Sequence, residues 1–107
     1  MDERKKRIED KLRDIEAQIA YAEAAGWKDR AARQKQRRDL LRRAMRLKPE
    51  TAWKKAIELG KAFARGGGQR ALEDALLYAY AATGRGLSDG EMLEAVAQEI
   101  AREGQDG

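Results

Sequence analysis

Apolar residues recur along this chain at alternating steps of three and four, and no stretch alternates in steps of two. That period belongs to helices with one buried face and not to strands. It predicts about five helices, over residues 2–25, 28–47, 50–65, 69–83 and 89–103. Gly26, Pro49, Gly66–Gly68 and Gly84/Gly86 fall at the joints, where glycine stops helices and proline starts them. The last start is the best specified. Ser88 and Glu91 have the S-x-x-E spacing of a capping box, and Leu87 and Met92 have that of a hydrophobic staple around the same turn.

The first two helices predict an antiparallel hairpin over 1–48. Ile8, Leu12, Ile15, Ile19 and Ala22 form one seam; Trp27, Ala31, Gln34, Arg38, Leu41 and Met45 form the other. Folding about Gly26 sets these seams against each other. In the same register Glu9, Glu16 and Glu23 face Arg42, Lys35 and Lys28, acid against base in every pair. Two seam positions are polar. Gln34 and Arg38 read either as a register-setting amide and a snorkelling stem, or as side chains projecting into a pocket.

Over 49–107 the pattern predicts a three-helix part. Ala52, Ala56, Gly60 and Ala64 repeat every four residues, as do Ala71, Ala75 and Ala79, so two small faces are expected to meet with Gly60 near Ala75. Such faces allow helix axes toward the lower end of the usual 8–10 Å spacing. The fourth helix, "ALEDALLYAYAATG", is apolar nearly all round and is expected to be central. The fold class is therefore all-α, a single-domain bundle with a long N-terminal hairpin packed on three shorter helices.

Composition narrows the chemistry. The 107 residues contain no cysteine and no histidine, and 20 alanines supply much of the 42% that is hydrophobic. A disulfide framework, a thiolate nucleophile and a Ser-His-acid triad are excluded, and the commonest metal ligands are missing. Neighbouring acids such as Glu9–Asp10 and Glu73–Asp74 point to different helix faces, a poor geometry for shared catalysis. No enzyme, cofactor or metal is expected. The apolar runs are short of a membrane span, and residues 1–20 lack the apolar core of a signal peptide. The expectation is a soluble, cytoplasmic chain without a membrane partner, monomeric or weakly self-associating.

The net charge of +4 is unevenly spread. Residues 28–48 hold ten bases and two acids, whereas both flanking segments are mildly acidic. Arg30, Arg33, Arg37, Arg43 and Arg46 on this helix could form a phosphate-binding stripe for nucleic acid, or a face for an acidic protein. The acids of the last helix could equally cover part of it. "RGGGQR" at 65–70 is a flexible connection or, through its backbone N–H groups, an anion cradle, although it lacks the Lys-Ser/Thr of a P-loop.

The segments "DERKKRIEDKLRDIEAQIAYAEAAG", "RLKPETAWKKAIELGKAFARG" and "LSDGEMLEAVAQEIAREG" resemble computationally designed helical bundles in binary patterning, matched charge and explicit caps. Gly60, Gly66–Gly68, Gly90, Gln34 and Arg38 depart from pure stability design. The resemblance implies a scaffold or a small-molecule binder with a pocket between the hairpin and the third and fourth helices. Gln34, Arg38, Trp53, Gly60, Tyr78 and Tyr80 are the candidate lining residues. The competing expectation is a natural basic protein binding nucleic acid or an acidic partner through the 28–48 helix.

Overall fold

The computed structural model describes residues 2–106, which form five helices: α1 Glu3–Ala24, α2 Lys28–Met45, α3 Pro49–Ala64, α4 Gln69–Thr83 and α5 Asp89–Asp106. The fold is all-α, as the periodicity predicts. Asp2 caps α1 by accepting from the backbone N–H groups of Arg4 and Lys5. At the end of α1 the N–H of Gly26 donates to Glu23 and that of Trp27 to Ala22. This is a Schellman turn, and Gly26 supplies its left-handed residue at φ +75.

The same turn ends α3, where Gly66 (φ +100) donates to Phe63 and Gly67 to Ala62. Two N–H groups of "RGGGQR" are thereby consumed in stopping a helix. The first two glycines therefore act as a helix stop.

The α5 start matches its sequence signature. The Ser88 N–H donates to the Glu91 carboxylate at 3.0 Å, and the Glu91 N–H donates to the Ser88 hydroxyl at 3.1 Å. Accepting the backbone and then the hydroxyl hydrogen bond of Ser88, the Glu91 carboxyl titrates below its ordinary value. A carboxylate with a depressed folded value stabilises the fold above its unfolded value, and loses that contribution as pH falls through the folded one. Thermal melts across the acid range should show this loss in the native chain. Glu91→Gln should lack that component while keeping an amide able to cap.

Two buried clusters hold the helices together. Ile8, Ile15, Ile19, Leu41, Ala44, Ala52 and Ala81 join the hairpin to the start of α3 and the end of α4. Ala56, Ile57, Leu72, Ala75, Ala79, Met92 and Val96 join α3, α4 and α5. Only α4 contacts all four other helices, which makes it the central element expected from its apolar circumference.

The hairpin pairs its charges one heptad away from the expected register, so two acid–base pairs of this set form in place of the three expected. Arg42 donates to Glu16 at 3.0 Å instead of meeting Glu9, and Lys35 meets Glu23 at 3.5 Å instead of Glu16. Helical side chains lean toward their own N-terminus. In an antiparallel pair the tips on α1 therefore lean away from the turn and those on α2 toward it. Charged ends meet between residues whose Cα atoms are staggered, and long Glu, Lys and Arg side chains span that stagger.

The side of Gly60 that would carry a side chain faces α5. A Cβ placed there would lie 2.4 Å from Val96 Cγ2, with Met92 next. Its missing side chain admits α5, while the small faces of α3 and α4 pack together through Ala56, Ala75 and Ala79. In turn, α5 packs on α3 and α4, with Glu103 bonded to Lys61 and Glu99 to Arg102. The acids that meet the basic α2 come from elsewhere: Glu16 and Glu23 of α1, and Glu73 and Asp74 of α4.

Candidate functional site

Leu41 and Ala44 are fully buried, and stepping back from both by helical periods lands on Arg37 and then Arg33. These two arginines therefore share the inward face of α2 and lean against α4. Arg33 is clamped there, its guanidinium donating to Glu73 at 3.0 Å and to Asp74 at 3.2 Å. Arg37 donates to the Gln34 side-chain oxygen at 2.8 Å.

Beside them lies a half-open cleft of about 350 Å³ between α1, α2, α4 and the α4–α5 connection. Leu76, Leu77 and Leu87 give it apolar walls, and Lys11, Arg33, Gln34, Arg37, Glu73 and Tyr80 supply its polar groups. The volume is at the lower end of the range of small-molecule sites, and the mixture of apolar wall and few convergent polar groups is typical of them. Tyr80 is held in place because its hydroxyl donates to the Arg7 carbonyl at 3.3 Å. The Lys11 ammonium lies 5.7 Å from the centre of the Tyr80 ring, a cation–π distance.

The electrostatic balance of this cleft is uneven. Arg33 is neutralised by two carboxylates, whereas Lys11 rests on a ring and Arg37 on an amide. Two cations thus face the cleft with neutral partners, beside an aliphatic wall.

The expected pocket residues separate in the fold. Gln34 and Tyr80 line the cleft together. Arg38 turns away to Asp39 at 3.0 Å and to Glu16 at 3.5 Å, and the Asp39 hydrogen bond holds its pKa above the already high guanidinium value. Trp53 lines a separate groove between α3 and α5, with Ile57, Lys61 and Glu99. Gly60 is sealed by Val96, so no void lies beside it, and Tyr78 packs as filler between the two buried clusters. The cleft borders α4 and not α3, and α5 occupies the ground that a pocket at Gly60 would need.

The arginine stripe separates as well. Arg33 and Arg37 are half-buried against α4, Arg30 lies over the Trp27 ring at 5.3 Å, and Arg43 and Arg46 face solvent. They do not form one surface. Lys11, Leu76 and Leu87 line the cleft without a signal in the sequence pattern. The i, i+4 step from Leu41 back to Arg37 and Arg33 carried the missing signal for the α2 wall.

Among the described residues no group of three or more acids is placed to hold a metal ion, and no helix is long and apolar enough to cross a membrane. The chain matches no protein-family model, no curated protein and no solved structure.

Proposed function

We propose that this protein is a non-catalytic binding module whose cleft between the hairpin and α4 takes a small organic anion. One observation carries the proposal. Lys11 and Arg37 converge on an aliphatic wall without carboxylates of their own, and Gln34 and Tyr80 are oriented beside them. An anionic head supplies the missing charge, and an apolar body covers Leu76, Leu77 and Leu87. The absence of histidine and cysteine supports binding over catalysis. The regular caps and matched charges fit the resemblance to designed bundles, for which a scaffold with one cleft is a natural purpose.

Grip on nucleic acid or an acidic protein by all five arginines as one set has less support, because the inward pair is engaged at the cleft and the outward pair is not.

The test is titration with anilinonaphthalene sulfonate, an apolar ring system with one anionic group, followed by proton–nitrogen correlation spectra. Backbone amides of Gln34, Arg37, Leu76, Tyr80 and Leu87 should shift together. Lys11→Ala and Arg37→Ala should each weaken binding on the order of tenfold, as loss of a charge-assisted hydrogen bond does. Shifts scattered over the surface, or affinity indifferent to both substitutions, would remove the proposal.

A further inference from the structure

At the hairpin tip, away from the α4 cleft, the largest exposed aromatic side chains sit together. Tyr21 is 67% exposed and Trp27 is 45% exposed. Their ring centres lie 5.5 Å apart in an edge-on arrangement, and the Arg30 guanidinium covers the Trp27 face at 5.3 Å. Neither ring belongs to a buried cluster. The Schellman turn at Gly26 holds them in position, because it fixes how Trp27 enters α2.

A hollow of about 390 Å³ opens beside this group, lined by Ala17, Gln18, Tyr21, Arg30 and Gln34. Its inventory is an aromatic face, a planar cation and two carboxamides. Those groups stack on a nucleobase and bond its edge.

The charge that leads away from the tip has matching chemistry. Lys28, Lys35, Arg42, Arg43 and Arg46 are all exposed on the solvent side of α2. Asp39 shares that side but is bonded to Arg38, while Lys35 and Arg42 hold Glu23 and Glu16 in exposed ion pairs. Exposed pairs of this kind are weak and exchange readily for phosphate. Trp27 borders Lys28 and Lys35 directly, so the aromatic platform stands at one end of a basic track, the arrangement used for single strands.

We propose that the hairpin tip and the outer face of α2 bind single-stranded nucleic acid, a base stacking on Tyr21 and Trp27 and the phosphates following Lys28, Lys35, Arg42, Arg43 and Arg46. This site shares Gln34 with the cleft but no aromatic or basic residue, so the Tyr21 and Trp27 variants test it apart from the cleft.

The probe is a fluorescently labelled oligothymidylate of about a dozen nucleotides, within the span that such surfaces cover. In the Trp53→Phe variant, the emission of Trp27 should be quenched on binding at low salt. Affinity should fall as salt rises, with a log–log slope of about −0.7 for each phosphate contacted. Tyr21→Ala and Trp27→Ala should each weaken binding roughly 5- to 100-fold by anisotropy, and Trp27→Tyr should restore most of it. Both residues are exposed, and circular dichroism of the variants checks that the fold is kept. Absence of binding at low salt overturns the proposal. So does a duplex that binds as tightly as the single strand with both alanine variants unaffected, since only diffuse charge would then be acting.

Discussion

Gly60→Ala is expected to destabilise the protein by about 1–2 kcal/mol, although alanine is the better helix former. Helix propensity alone favours the substitution by about 0.5–1 kcal/mol. Against it, the new methyl would sit 2.4 Å from Val96 Cγ2, on a side chain only 2% exposed. Val96 is β-branched and stiff about χ1, so it cannot swing clear as a long side chain would. Forcing a methyl into such a contact costs about 1–3 kcal/mol and outweighs the propensity gain. In the Val96→Ala background the clash disappears, and the same substitution should become neutral or stabilising. Urea denaturation of the four proteins in this cycle reads the coupling directly. A stabilising Gly60→Ala in the native background would mean that α5 is not seated on α3 at this point.

Leu41→Ala is expected to cost more, about 2–5 kcal/mol, the range for truncating a fully buried leucine. Ala31, Leu41 and Ala44 are the buried residues of α2, so Leu41 is the only large side chain by which that helix is fully anchored. Its loss removes the largest fully buried side chain by which α2 joins the cluster of α1 and the end of α4. Domains of this kind are stable by only about 5–15 kcal/mol, so a large share of the total is at stake. The urea midpoint should fall sharply. Hydrogen exchange should rise first in α2, where Arg33, Gln34 and Arg37 form one wall of the cleft. A Leu41 variant with unchanged exchange in α2 would show that the helix is held by something other than this contact.

The two predictions differ in how much of their basis could be read without coordinates. That Leu41 is buried follows from the seam Ala31–Gln34–Arg38–Leu41–Met45, because helical spacing assigns a face by itself. What Gly60 meets does not follow. Its four-residue spacing with Ala52 and Ala56 points to α4, yet the side chain that a Cβ there would strike belongs to α5. A stripe of small residues specifies that a neighbour comes close, and the packing of the whole bundle selects which neighbour.

The candidate site divides in the same manner. Gln34 and Tyr80 were legible as a polar seam residue and an aromatic residue on the central helix. Lys11 gave no signal of its own, since a lysine beside a helical seam ordinarily faces water. Charge along α2 groups Arg33 and Arg37 with Arg43 and Arg46, whereas their angle around the helix separates them. The heptad shift of the hairpin ion pairs has a related origin. Linear spacing fixes Cα positions, but charged tips meet where side-chain lean brings them.

The chain by itself determined the five helices, their capping box and glycine stops, the hairpin and the central place of α4. Each depends on local backbone chemistry or on the three-and-four period of apolar residues, which act within a few turns of helix. The tertiary structure alone decided that α5 docks on Gly60, that Arg33 is neutralised by Glu73 and Asp74, and that a cleft opens by Lys11 and Tyr80. Those outcomes join residues far apart in sequence. They depend on volumes and side-chain reach summed over several helices, and no single helix carries that information.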